Sequence, residues 1–178
     1  MKELILGGVR SGKSQLAEVR ARDSGLEVVY VATARIADDE MQRRILAHRQ
    51  RRPAHWRTIE EPIALGDTLR AHSAPGRCVL VECLTLWLTN LLCAQDEALF
   101  AREHSALLAA LSSMSGNIIM VGNECSLGVM PLGQLTRRFI DEAGRLHQDL
   151  AGLCDRVFLT VAGLPLVIKG PAPQGAWT

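Results

Sequence analysis

Five runs of valine, isoleucine and leucine punctuate the chain, at residues 4–6, 28–34, 78–83, 118–121 and 157–161. They are apolar at nearly every position instead of every second one, so they read as strands buried on both faces, as in a parallel sheet. Between them apolar residues recur at helical spacing, which predicts helices over 14–22, 38–50, 63–72, 86–93, 98–111 and 132–153. The last is the plainest, with Leu135, Phe139, Ala143, Leu146, Leu150 and Leu153 on one face. Its outer face carries Arg138, Asp141, Glu142 and Arg145 at i,i+3 and i,i+4 distances suited to ion pairs. Strand and helix alternate, so the expected architecture is a three-layer α/β fold with a mainly parallel sheet. A further apolar run, 164–169, follows 157–161 after only Ala162 and Gly163. So short a connection cannot cross over to a parallel neighbour, and the pair is expected to form an antiparallel hairpin at one edge. No linker or repeat interrupts this order. One domain over 1–170 is expected, with 171–178 as a frayed tail.

Composition narrows the function classes. At 178 residues and 48% hydrophobic content the chain can bury a full core. A net charge of +1 removes the whole-protein electrostatic case for nucleic-acid binding, and one Tyr, three Phe and three Trp are too few for base-stacking platforms. No apolar run reaches the ~18 residues of a membrane span, and MKELILGG lacks the features of a signal peptide. The five cysteines, Cys78, Cys83, Cys93, Cys125 and Cys154, are odd in number and never spaced C-x-x-C. That suits reduced thiols, and a cytoplasmic location is expected.

The first strand runs into Gly7, Gly8, Val9, Arg10, Ser11, Gly12, Lys13 and Ser14, a match to G-x-x-x-x-G-K-[ST] between a strand and a helix. Glycines let successive backbone N–H groups turn inward around phosphate oxygens, and the helix N-terminus adds its dipole. Lys13 is expected to reach the β- and γ-phosphates of a nucleoside triphosphate, and the Ser14 hydroxyl to ligate Mg²⁺. Glu82, closing the run Val79-Leu80-Val81, stands in the Walker B position as the second metal residue. Asn123 and Glu124 end the fourth strand at the equivalent sheet edge, where ligands of open α/β sheets collect.

The segment between residues 38 and 60 is less generic. Asp38, Asp39 and Glu40 open a helix on which Met41, Ile45 and His48 share a face, and Arg49, Arg51 and Arg52 follow. Clustered arginines suit polyphosphate. By pattern alone His48 stands between a packed core histidine, the commoner outcome, and a catalytic one, and the arginines between an anion site and a solvated basic turn. His55, His72, His104 and His147 carry no motif.

Taken in order, GGVRSGKS, YVATARIADDEM, His48 in H-x-x-x-R-P, A-H-W-R-T-x-E-x-P, VECLTLWLTNLL, the NE and GVMP stretches, Asp141 with Gly144 and Gln148, and VAGLPLVIK resemble one family. It is the bifunctional adenosylcobinamide kinase / adenosylcobinamide-phosphate guanylyltransferase, matched from Lys2 to Lys169. The resemblance implies a RecA-like P-loop domain that assembles as a homotrimer. It also implies two reactions: phosphorylation of adenosylcobinamide by GTP or ATP, then transfer of GMP from GTP through a histidine adduct, giving adenosyl-GDP-cobinamide and pyrophosphate. Carried onto this chain, His48 is the guanylylated residue, and residues 7–14 hold the triphosphate. Ala32, Thr33, Ala34, Arg49, Gln50, Arg51, Arg52, Glu60 and Glu82 fall at positions that contact guanine nucleotide. The chemistry suits these residue types: a neutral imidazole attacks phosphorus well, and arginines neutralise a departing pyrophosphate. The chain departs from the family pattern at Gly122, where Ser or Thr is usual, at Cys125-Ser126 in place of Val-Gly, at His147 in place of Asn, and at Ile140 in place of Arg. A P-loop kinase of another small alcohol is the alternative; it leaves the segment around His48 without a purpose.

Overall fold

In the computed structural model, residues 1–35 and 52–171 are described. The elements are β1 (Lys2–Gly7), α1 (Lys13–Asp23), β2 (Glu27–Ala32), β3 (Arg57–Glu60), α2 (Leu65–His72) and β4 (Arg77–Glu82). They continue as α3 (Leu84–Cys93), α4 (Glu97–Ser113), β5 (Asn117–Asn123), α5 (Gln134–Leu153), β6 (Arg156–Val161) and β7 (Leu164–Lys169). The strands form one sheet in the order β3-β2-β4-β5-β1-β6-β7. All neighbours are parallel except β6 and β7.

The near-continuous apolar runs do what their pattern dictates. Leu4, Val29, Val31, Val79, Val81, Ile118, Met120 and Val157 bury on one face, against α2 to α5. Their chain neighbours Ile5, Val28, Tyr30, Cys78, Leu80, Ile119, Val121 and Phe158 bury on the other, where α1 packs. Trp87 of α3 is fully buried, and its indole N–H donates to the Ile63 carbonyl at 2.7 Å. That bond satisfies the one polar atom such a side chain brings inside. The hairpin turns through Ala162 at φ 52° and Gly163 at φ 82°, the positive pair that a two-residue hairpin turn requires.

The structure departs from the expected pattern at β3, at helix boundaries and along α5. β3 was not anticipated: of its four residues only Ile59 is apolar and the rest are exposed, so an edge strand of this kind carries no burial pattern. Helix α3 begins at Leu84, two residues before the expected start, whereas α2 and α5 begin two residues after theirs, at Leu65 and Gln134. On α5, Leu135 is 56% exposed, while Ala143, Leu146 and Leu150 are buried as expected. Arg138 reaches across to Glu97 in the first turn of α4 through a bidentate pair at 2.6 Å, whereas Arg145 does bond Glu142 within the helix. The helix expected over 38–50 lies outside the described residues, as does the tail beyond Pro171. Among the described residues no helix is long and apolar enough to cross a membrane.

Candidate nucleotide site

Six parallel strands end on the same sheet edge, and the sequence-predicted site residues gather there. The loop after β1 is built by backbone geometry. Arg10 takes φ 56° and Gly12 φ 97°, so the chain curls before α1 starts. A Cβ on Gly7 would stand 2.2 Å from Thr160 Oγ1 and 2.7 Å from the Thr160 carbonyl oxygen, which leaves no room for a side chain. The hairpin braces the loop from beneath: Ser11 Oγ and Thr160 Oγ1 share a hydrogen bond of 2.7 Å, and Gly163 N–H donates to the Ser11 carbonyl at 2.9 Å. Gly8, Val9 and Arg10 are exposed at the loop tip. Lys13 Nζ donates to the Gly8 carbonyl at 2.9 Å. Burial holds its ammonium below the ordinary lysine value, and the neighbouring Glu82 charge works in the opposite direction.

Ser14 Oγ donates to Glu82 Oε1, and Tyr30 Oη donates to Glu82 Oε2 at 3.0 Å. Thus the first helical turn and the end of β4, 68 residues apart, present two adjacent oxygen donors. An all-oxygen pair of this kind suits a hard divalent cation. Register places Ala32 level with Glu82 on one side and with Glu60 on the other. Ala34 is half-buried beyond this row. Thr33 is fully buried: its Oγ1 donates to the Cys83 carbonyl at 2.7 Å and accepts from Cys83 N at 2.8 Å, so its hydroxyl clamps β2 to β4. Past the β3 edge, Arg52, Pro53, Ala54, Trp56, Thr58 and Glu60 line a cavity of about 410 Å³. The Arg52 guanidinium lies 3.6 Å from the centre of the Tyr30 ring. His48, Arg49, Gln50 and Arg51 lie outside the described residues.

Asn123 and Glu124 close the other side. Asn123 stands in register with Gly7 while its N–H donates to Thr85 Oγ1 at 2.8 Å, and Glu124 N donates to the Gly7 carbonyl at 3.0 Å, so both abut the start of the loop. Burial opposes the Glu124 charge, but the Ser126 hydroxyl and backbone donors outweigh it and hold the carboxyl below the ordinary value. His147 Nδ1 stands 3.8 Å from Glu124 Oε2.

Gly122 and His147 meet here. A Cβ on Gly122 would lie 3.1 Å from His147 Nε2 and 3.2 Å from Leu6 Cδ2, so the larger residue at 147 fits because 122 has no side chain. Gly122→Ser is therefore expected to cost about 1–2 kcal/mol by overcrowding. Combining it with His147→Asn should recover about 1 kcal/mol beyond additivity, read by urea denaturation of the four variants. Burial also lowers the His147 pKa from the ordinary 6.5, against the opposing pull of Glu124. The unfolded chain therefore takes up the proton first. The native protein should lose stability relative to His147→Asn as pH falls below 6.5 towards the lowered folded value, and the two should run parallel above it.

Sequence reasoning missed Tyr30, Thr85, Thr160 and Gly163. Tyr30 was the most legible of them, being the one tyrosine in the chain and set in the otherwise aliphatic run Val28–Ala32.

Residues 3–168 match the family described as cobinamide kinase / cobinamide phosphate guanyltransferase. Over 170 residues the chain is 60% identical to the bifunctional adenosylcobalamin biosynthesis protein CobP of Pseudomonas aeruginosa, an alignment covering 96% of this chain and 98% of the relative. It is 40% and 41% identical to the bifunctional adenosylcobalamin biosynthesis proteins CobU of Escherichia coli K12 and Salmonella typhimurium LT2, over 95% of this chain and 100% of each relative. Among solved structures, the P4 protein of bacteriophage phi6 in complex with ADP superposes with a TM-score of 0.52 at 15% identity. That match covers 93% of this chain and 53% of P4, so the chain spans about half of that protein's length. The RadB recombinase gives 0.52 at 15% identity, with 89% and 73% covered. At such identities the likeness is one of fold: a RecA-like P-loop sheet.

Proposed function

The chain belongs to the cobinamide kinase / cobinamide phosphate guanyltransferase family, and we propose that it runs both reactions from the one sheet edge, with His48 as the residue that carries GMP between substrates. In the first, the hydroxyl of adenosylcobinamide attacks the γ-phosphorus of GTP or ATP; the bond to the β-phosphate oxygen breaks, and nucleoside diphosphate and a proton leave. In the second, a ring nitrogen of neutral His48 attacks the α-phosphorus of GTP and expels pyrophosphate. A phosphate oxygen of adenosylcobinamide phosphate then displaces the imidazole, giving adenosyl-GDP-cobinamide and free His48.

The observation that carries this reading is the row Ser14–Glu82–Ala32–Glu60, which joins a P-loop to a cavity walled by Arg52 and Trp56. Backbone N–H groups of residues 7–14 and Lys13 bind the triphosphate, while Arg49, Arg51 and Arg52 neutralise the pyrophosphate as it leaves. Ser14 and Glu82 are the residues that would hold Mg²⁺, whose charge offsets that of the phosphates when it is bound. Five unpaired cysteines, with burial pushing the Cys78 and Cys154 thiols up to about 11 and about 12, suit a reducing cytoplasm.

The homotrimer is part of the same proposal. Leu164, Leu166 and Ile168 on the outermost strand are each more than half exposed, and so is Val161 beside them. An apolar edge strand of this kind calls for a covering surface. Sedimentation equilibrium should give three times the 19.4 kDa of the chain, and a monomer would remove this part of the reading.

The function is tested by incubating the protein with GTP and Mg²⁺, removing free nucleotide and recording the intact mass. The expected product carries one GMP, lost in mild acid and stable in base as a phosphoramidate is. No adduct on protein that demonstrably binds GTP would leave a plain P-loop kinase.

A further inference from the structure

We propose that Tyr30 is a positioning residue for nucleotide-bound Mg²⁺, acting through the Glu82 carboxylate. The inference rests on the reading of Ser14 and Glu82 as the metal residues.

Tyr30 projects from β2 with 2% of its surface exposed, in register with Leu80 on one side and Thr58 on the other. Its hydroxyl donates at 3.0 Å to Glu82 Oε2, and the second oxygen of the same carboxylate accepts the Ser14 hydroxyl. The carboxylate is therefore held at both oxygens by donors from two different elements, which sets the plane in which it faces the loop. The ring is itself clamped. One face carries the Arg52 guanidinium at 3.6 Å, and the body packs in the apolar layer with Val28, Leu80 and Trp56.

A tyrosine placed only to fill the core would serve as well with its hydroxyl on any nearby carbonyl. Here the hydroxyl holds a carboxylate of the metal pair, and a long glutamate arm needs holding more than an aspartate would. Groups that orient a metal-binding carboxylate in this way commonly affect metal affinity about 10–100-fold when removed.

The decisive variant is Tyr30→Phe, which deletes one oxygen and keeps the ring under Arg52. Binding of a fluorescent GTP analogue would be titrated over a range of Mg²⁺ concentrations in the wild type, Tyr30→Phe, Glu82→Gln and the double variant. Thermal melts alongside would establish that each is folded. In Tyr30→Phe the Mg²⁺ concentration for half-maximal tight binding is expected to rise about ten-fold. Binding without Mg²⁺ should stay unchanged. In the Glu82→Gln background the same substitution should add nothing, because the hydroxyl acts through the carboxylate.

An unchanged Mg²⁺ requirement in folded Tyr30→Phe would overturn the proposal and leave the hydroxyl a packing feature. A further shift in the Glu82→Gln background would overturn it too, since the route would not pass through Glu82. Wild-type binding that ignores Mg²⁺ would sink the metal reading and this inference together. Absence of the GMP adduct would remove the guanylyl transfer alone and leave the Mg²⁺ comparison intact.

Discussion

His48→Ala is expected to show no mass gain after incubation with GTP and Mg²⁺, while it still phosphorylates adenosylcobinamide. The two outcomes separate because the reactions need different groups. In the proposed route GMP transfer proceeds through a covalent bond to the imidazole, and alanine offers no atom that can form it. The loss should therefore be complete on the mass spectrum, and transfer to adenosylcobinamide phosphate should fall to background. In the proposed route phosphoryl transfer uses the backbone of the first loop, Lys13 and the Ser14–Glu82 pair, and the substitution replaces none of them. A variant that keeps the adduct would point to another nucleophile, and His55, exposed between Ala54 and Trp56 in the chain, would be the next to replace. A variant that loses both activities while folded would mean that the two reactions are not separable at His48.

Lys13→Ala should have the complementary effect on the kinase. In the structure the ammonium bonds only a loop carbonyl, that of Gly8, among the described hydrogen bonds, and the side chain is half-buried. Its removal should thus move the melting temperature little. Charge develops on the β–γ bridging oxygen and the transferred phosphoryl group as the reaction proceeds, and a fixed ammonium there acts mainly on the transition state. Loss of one such donor costs about 10²–10³ in rate, so single-turnover phosphoryl transfer should drop by that factor. Lys13→Arg should recover little of it, because the guanidinium fork is broader than the point charge this narrow loop accommodates. A folded Lys13→Ala protein with near-normal transfer would show that the lysine is not in the reacting position.

Much of the scaffold was legible because its signals are local. Burial on both faces produces an unbroken apolar run within one strand, and a two-residue connection dictates an antiparallel hairpin whatever surrounds it. The phosphate loop is written in eight consecutive residues, because the glycines that free the backbone must sit beside the lysine and serine that use it. The residues around His48 were informative as a family pattern. Their bare periodicity left open whether that histidine packs or reacts.

β3 escaped because one isoleucine among exposed residues has no period to read; it exists because β2 leaves an edge that four residues can pair with. Arg138 was matched to its helical neighbours by spacing, yet Glu97 captured it, since spacing along one helix says nothing of which other helix lies alongside. The same applies at the site.

From its sequence alone this protein is determined to be a P-loop α/β domain with a nucleotide cradle, an acid at the end of the β4 strand and a family-specific histidine segment, because each of these depends on residues near one another in the chain. Tertiary structure alone decided that Ser14 meets Glu82, that Tyr30 holds the same carboxylate beneath Arg52, that Thr160 and Gly163 brace the loop, and that Gly122 makes room for His147. The physical reason is the strand order β3-β2-β4-β5-β1-β6-β7 and its registers. A crossover sheet makes neighbours of residues up to some 150 positions apart, and no pattern within a strand or helix encodes which strand will lie beside it.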